Sequence, residues 1–441
     1  MAEITVKFNE IIGKIKPMHA VNNGPVDGGR FGGNVDLFKK AGIPYARNHD
    51  ASFSRMYGAE HTVDVAYVFP DFNADENDPA SYDFFYTDKY VKDCEKAGTH
   101  MFYRLGHRIE HEEKKYGTFP PKDFKKWARI CEHIIRHYTE GWADGFRFKM
   151  EYWEIWNEFD CLGPNNTRLC WQGTDEQFYE FFEIVAKYLK KKFPKLKIGG
   201  PAFCSYDEKE GFLKYMKAHK VPMDFYSYHC YPNEPKTMVD LAERQQKYLT
   251  KYGYGKVEKI LDEWNYLYGS WWGEDMGLTY QTIQSIKGAA FVTACQIAAQ
   301  NTHIDMLMYY DARPQNSFNG LFGRSPVQIL KPYWSFVTFN ELYKLSNQCK
   351  AESDNKNVYT LAAAKGDKKA VLISYYDNTD KLKAKKIKVN LESVKAGSLA
   401  EVYIVDANND YKKAVSFVTG GRKAELYLDM EPNTIAQILI K

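Results

Sequence analysis

Tyr152-Trp153-Glu154-Ile155-Trp156-Asn157-Glu158, followed by the amphipathic run 174–193, is the stretch that decides the fold. Its first part is short and mostly apolar and stops at two polar residues, the pattern of a buried strand ending at a loop. In the second part Thr174 and Gln177 have the spacing of a capping box, and Phe178, Phe182, Val185 and Leu189 recur at helical spacing. A strand followed by such a helix is one βα unit, and the unit recurs in both directions. Upstream, strands are predicted at Met18–Val21, Ile43–Arg47 and His100–Leu105, with helices at 34–41, 82–97 and 121–140. Downstream, strands fall at Lys197–Gly200, Phe225–His229, Lys259–Asp262 and Met306–Tyr310, with helices at 208–219, 237–252, 279–300 and 333–345. Thr237 is expected to cap the 237–252 helix, and Gly253 to end it in the left-handed conformation. Eight such units over 15–345 predict an α/β protein with a closed (β/α)8 TIM barrel rather than an open sheet.

Beyond residue 345 the pattern changes to Val358–Ala362, Ala370–Tyr375, Ile387–Leu391, Glu401–Val405, Glu425–Leu428 and Ala436–Ile440, strands separated by Asn, Asp and Gly. Residues 346–441 are therefore expected to form a smaller all-β sandwich. Ile4–Phe8 alternates like a strand, and residues 1–14 are expected to join that module.

Composition narrows the function. A net charge of +3 gives no electrostatic footprint for nucleic acid, and no apolar run reaches the length of a membrane span. Aromatic residues make up 16% of the chain, which suits stacking on sugar rings as well as a large core. The eight cysteines show no CxxC pairing and read as buried free thiols of a reducing compartment. Met1-Ala2-Glu3-Ile4 lacks a secretory leader, so the expected location is cytoplasmic, with secretion the alternative if a leader has been removed. Whether the chain forms a homo-oligomer is left open.

Barrel active sites lie at the C-terminal ends of the strands. There Glu158 follows the fourth strand, and Glu263 follows the seventh in Lys259-Ile260-Leu261-Asp262-Glu263-Trp264-Asn265. Sugar cleavage needs one carboxyl to protonate the leaving oxygen and a second to capture the electron-poor ring carbon. The fourth and seventh strands face each other across a barrel mouth. Either glutamate alone could be an ordinary ion-pair partner, but both end strands and both are flanked by Trp and Asn.

Trp156-Asn157-Glu158 with a second glutamate ending strand seven resembles clan A of the glycoside hydrolases. Tyr179-Glu180-Phe181-Phe182, Ile198-Gly199-Gly200-Pro201, Asp224 through Pro232 and Lys331-Pro332-Tyr333-Trp334 resemble glycoside hydrolase family 39, whose members include β-xylosidases and α-L-iduronidases. The resemblance implies that Glu158 is the general acid/base and Glu263 the nucleophile. It also implies that Asn157 bonds the hydroxyl beside the reacting carbon, that His229 and Tyr231 hold hydroxyls or orient Glu263, and that His49 contacts the sugar. Retention would place the two carboxyls about 5–5.5 Å apart. The Glu158 carboxyl is expected to be raised, by the aromatic surroundings at Trp156 and the charge of Glu263.

Other residues are read from position alone. Asp311, ending strand eight, is placed to bind a hydroxyl, while Arg313 either pairs with it or reads a carboxylate. The loop 266–272 offers Trp271 and Trp272 as an aromatic wall or an interface. The glycine-rich run 24–33 lacks both GxGxxG order and a P-loop lysine and is set aside as a nucleotide site. His107, His111 and Glu112 are set aside as metal ligands in favour of a solvated loop, with His107 in reach of a sugar. The proposed chemistry requires no metal or organic cofactor. The expected function is exo-acting, retaining hydrolysis of an oligosaccharide or small glycoside, β-xylosidase-like. The alternatives are the same machinery on an α-L-arabinofuranoside or uronic acid glycoside, or a non-catalytic carbohydrate-binding barrel.

Overall fold

The computed structural model describes residues 1–27, 32–50, 61–204 and 209–441. Gly28, Gly29, Arg30 and Phe31 of the glycine-rich run, and Glu208 at the start of the predicted helix 208–219, lie outside the described residues.

The chain opens with a long strand, β1 (Ala2–Lys14), and then builds a closed barrel of eight parallel strands. These are β2 (Ala20–Asn22), β3 (Tyr45–Arg47), β4 (His100–Leu105), β5 (Tyr152–Ile155), β6 (Lys197–Phe203), β7 (Phe225–Cys230), β8 (Glu258–Trp264) and β9 (Met306–Tyr309). Around them pack α1 (Val35–Ala41), a short α2 (Val65–Val68), α3 (Phe85–Ala97), α4 (Phe124–Thr139), α5 (Asp175–Lys192), α6 (Glu210–Ala218), α7 (Pro235–Lys251), α8 (Met276–Ile283), α9 (Ile286–Gln300) and α10 (Tyr333–Tyr343). The capping box forms on α5, where Thr174 Oγ1 accepts from the Gln177 N–H. Gly253 is left-handed just beyond α7. Thr237 is not the α7 cap. Glu234 holds that position and Pro235 takes the first helical one, where its missing N–H costs nothing. The predicted helix 279–300 is two helices, because the Ser285 side chain accepts from the Gly288 N–H and starts α9 afresh.

The barrel interior is layered by strand alternation. Ala20, Phe102, Tyr152, Phe225, Ile260 and Met306 form an apolar floor. Two residues further along five of these strands stand Asn22, Arg104, Glu154, Ser227 and Asp262, and Arg47 stands two beyond Tyr45, while β9 keeps the apolar Met308. All six polar side chains are fully buried. A period of two thus changes the barrel from oil to charge on approaching its C-terminal mouth.

The all-β module contains β10 (Asn347–Ser353), β11 (Val358–Lys365), β12 (Lys368–Tyr375), β13 (Lys385–Glu392), β14 (Leu399–Val405), β15 (Lys412–Val418), β16 (Lys423–Met430) and β17 (Thr434–Ile440). With β1 they make one nine-stranded sheet, in which β1 pairs antiparallel with β10 and parallel with β13. Within this sheet Ile4 and Val6 share a core with Val371, Ile373 and Ile438. Alternate residues on the other face, including Leu361, Ala363, Ala370 and Leu372, join the barrel's outer core. Ser374 Oγ also donates to the Ala290 carbonyl of α9 at 2.8 Å.

Candidate active site

Glu158 is set by a tightly determined turn after β5. Trp156 and Glu158 both adopt left-handed backbone, with φ of 71° and 47°, a conformation costing a non-glycine residue about 1 kcal/mol or more. The turn is held by the Glu158 N–H donating to the Ala202 carbonyl at 3.0 Å and the Trp156 indole N–H donating to the Cys170 carbonyl at 2.9 Å. Gly106 packs tightly beside it, since a Cβ there would lie 3.1 Å from the Trp156 Cα.

Glu263 owes its place to an irregularity in β8. Pairing with β7 runs from Tyr228 opposite Leu261 directly to His229 opposite Glu263, leaving Asp262 as an extra residue. Regular alternation would send one of two successive carboxylates outward. The bulge lets both meet Arg47, whose Nε lies 3.2 Å from Asp262 and whose Nη1 lies 3.3 Å from Glu263.

Arg47 organises the charged layer. It donates to Glu154 at 2.7 Å, to Asn22 at 3.1 Å and to Asn157 Oδ1 at 2.6 Å. The last bond fixes the Asn157 amide, because an oxygen must face the guanidinium, and leaves its Nδ2 without a partner among the described residues. That nitrogen is a ready donor for a ligand hydroxyl.

His229 lies between the two glutamates. Its Nδ1 is 2.6 Å from Glu158 Oε1 and its Nε2 is 3.7 Å from Glu263 Oε2. A carboxylate oxygen of each glutamate and a ring nitrogen of His229 lie within 4.8 Å of one another. Tyr231 donates its hydroxyl to Glu263 Oε1. His49 Nε2 lies 4.0 Å from Glu263, while its Nδ1 is 3.0 Å from Asp50. An aromatic wall continues from Tyr231, with Trp271 edge-on at 4.5 Å and Phe318 5.4 Å beyond it.

The family described as Glycosyl hydrolases family 39 matches residues 55–415, well over half of the chain. The chain belongs to glycosyl hydrolase family 39. A β-xylosidase of Geobacillus stearothermophilus is 28% identical over 27% of this chain and 23% of its own length. An α-1,4-L-rhamnosidase of Formosa agariphila is 26% identical over 45% of this chain and 39% of its own length. The aligned parts thus span well under half of those relatives. The solved structure of a glucosidase from Croceicoccus marinus covers 100% of this chain and 99% of its own, with a TM-score of 0.82 at 22% identity, a likeness of fold.

In this family 39 chain the sequence-derived residues Glu158, Asn157, His229, Tyr231, Glu263, His49 and Trp271 come together at the barrel mouth. Asp311 lies two residues beyond the end of β9. It is fully buried, and its Oδ2 accepts from Asn23 at 2.8 Å and from Asn316 at 2.6 Å. Burial, partly offset by Arg313, pushes its carboxyl up to about 6. Arg313 reaches Asp50 at 3.0 Å, closer than its 3.8 Å approach to Asp311. His107 packs on Trp156 and His111 on Trp272.

The expectation of a raised Glu158 is also overturned. Burial does push the carboxyl up, but the charge and hydrogen bond of His229, with His49 and Arg47 behind, outweigh it and hold Glu158 below its ordinary value. His229 moves the opposite way: burial favours its neutral ring, yet Glu263, Asp262 and Glu158 raise it well above 6.5. The pair Glu158 and His229 therefore favours the proton on the imidazole. Glu154 is raised by burial and by neighbouring Asp262, against the pull of Arg47, which keeps a proton in the layer beneath.

Sequence reasoning did not single out Arg47, Glu154 or Asp262 as site residues. The signal was present, since each lies two positions beyond an inward-facing residue (Tyr45, Tyr152 and Ile260).

Proposed function

We propose that the protein is a retaining exo-glycosidase acting on terminal sugars of short oligosaccharides, β-xylosidase-like, with Glu158 as acid/base and Glu263 as nucleophile. The observation that carries this reading is the approach of the two glutamates within 4.8 Å across His229, closer than the roughly 6.5–9.5 Å an inverting pair needs for its water. In the first step Glu263 attacks the anomeric carbon as Glu158 gives its proton to the departing glycosidic oxygen. The His229–Glu158 hydrogen bond holds that proton, which passes to Glu158 as the leaving oxygen takes it. In the second step Glu158 removes a proton from water, the water oxygen attacks the anomeric carbon, and the ester to Glu263 breaks. Asn157 Nδ2 would bond the adjacent hydroxyl, a contact that strengthens as charge develops. Tyr231 keeps Glu263 aligned for attack, and His49 and Trp271 would contact the sugar.

The barrel, 15–345, and the β module of 346–441 with 1–14 are read as two domains of one working unit. The eight free thiols suit a reducing compartment such as the cytoplasm. Among the described residues no helix is long and apolar enough to cross a membrane. A second reading keeps this machinery and changes the sugar, and the wider alignment with a rhamnosidase favours it. A panel of nitrophenyl glycosides tests both. The first reading expects fastest release from the β-xyloside, the second from another glycoside, and both expect release to vanish in Glu263→Ala. Release from none of the panel would contradict the enzymatic reading.

A further inference from the structure

Besides Cys170, whose Sγ lies 3.9 Å from Glu158 Oε2, two more thiols that the proposed chemistry does not use stand near Glu158. Cys161 lies in the loop after β5, and Cys204 follows β6. Both are half-buried, unlike the six other cysteines, which are buried. The sulfurs of Cys161 and Cys204 and a Glu158 oxygen all lie within 4.8 Å of one another.

The backbone holds this group in place. The Cys161 N–H donates to the Glu158 carbonyl at 2.9 Å, and its own carbonyl accepts from the Leu169 N–H at 3.1 Å. The Cys204 N–H donates to Asp160 Oδ1 at 3.1 Å, and Lys209 anchors Asp160 at 2.8 Å. The group thus comes from two adjacent strand ends fixed to one another.

We propose that Glu158, Cys161 and Cys204 form a binding site for a thiophilic divalent cation such as zinc, with the fourth position left to water. Two sulfurs and one carboxylate oxygen are a soft-plus-hard donor set that suits zinc or cadmium and suits magnesium or calcium poorly. Tetrahedral zinc with Zn–S bonds of about 2.3 Å sets its sulfurs roughly 3.8 Å apart, so donors gathered within 4.8 Å need only side-chain adjustment. Among the described residues one other such group gathers, Glu158 with His229 and Glu263, and its members are already joined through the imidazole.

Occupancy has a functional consequence, which rests on the acid/base role proposed for Glu158. A cation bound to its carboxylate takes the place of the proton the leaving oxygen needs, so the bound enzyme cannot complete the first step. Zinc is then a reversible inhibitor, and a chelator restores activity.

The test titrates the full chain with zinc chloride by calorimetry, and with cadmium chloride while following sulfur-to-cadmium charge-transfer absorption. Wild type, Cys161→Ser and Cys204→Ser are compared with no metal added and with metal. Expected are one bound cation, a charge-transfer band that diminishes in each serine variant, and an affinity loss in each beyond the roughly 10–100-fold that losing an outer hydrogen-bond partner costs. Both variants should keep wild-type turnover without metal. Absence of binding, or binding unchanged in both serine variants, would overturn the proposal. Thiol-dependent binding that leaves turnover intact would uphold the cation site and count against Glu158 as the acid/base.

Discussion

His229 Nδ1 lies 2.6 Å from Glu158 Oε1, so the carboxyl assigned the acid role shares its proton with a histidine from a strand two places away in the barrel. The other face of that ring is 3.7 Å from Glu263. One imidazolium thereby couples the two glutamates, and loss of its proton leaves the pair with none to deliver. Because the carboxylates raise His229 well above 6.5, the basic limb of kcat/KM should lie above that value. In His229→Gln the limb should move to lower pH, since it then reports a glutamate alone. The sign for stability follows from the same shift: the histidine contributes fully below its unfolded value near ~6.5, and the contribution fades as pH rises through the folded value. A basic limb unmoved in His229→Gln would show that the ring does not hold the proton.

The two glutamates should fail differently. Glu263→Ala should lose turnover for every leaving group, because no other residue attacks the ring carbon. Glu158→Ala should lose about 10²–10⁴-fold on substrates whose leaving group needs a proton, and far less on dinitrophenyl glycosides. Azide should rescue the second step of Glu158→Ala and give a glycosyl azide of unchanged anomeric configuration. Leaving-group series with and without azide check this, and identical responses from the two variants would reverse or dissolve the roles.

Tyr231→Phe removes one hydrogen bond to a charged carboxylate, an interaction of about 1.5–3 kcal/mol. If the bond aligns Glu263 for attack, kcat should fall roughly 10–100-fold with KM little changed, measured on an activated glycoside. A change confined to KM would make Tyr231 a sugar contact instead.

Arg47→Ala should destabilise the barrel by about 3–5 kcal/mol, because it strips the cation from Glu154, Asp262 and Glu263 in a fully buried layer. Urea unfolding checks the figure. Raising Glu154 further toward its neutral form would soften the loss at low pH, so the deficit should be larger at pH 8 than at pH 5.

The eight βα units were legible because each rests on a local pattern, strand-like then helical, that one stretch of sequence carries by itself. Glu158 and Glu263 were legible because each ends a strand beside Trp and Asn. Arg47 was not singled out: it ends a short strand, and only counting two from Tyr45 turns it inward. The pairing of Asp262 with Glu263 depends on a bulge set by register against β7, which no single segment encodes. The depressed Glu158 depends on His229 arriving from a non-adjacent strand, so sequence reasoning counted Trp156 and Glu263 and left out the intervening cation. In the β module, β15 went unrecognised because nearly all its side chains are exposed and no alternation marks an inner face.

The central claim is a double displacement between Glu263 and Glu158, and the stereochemistry of the first product tests it most directly. With the aryl glycoside that turns over fastest, proton NMR recorded within the first minutes identifies the anomer released before the free sugar equilibrates. The account predicts the same anomeric configuration as the substrate. Initial release of the opposite anomer would mean that water, rather than Glu263, attacks the ring carbon, and would contradict it.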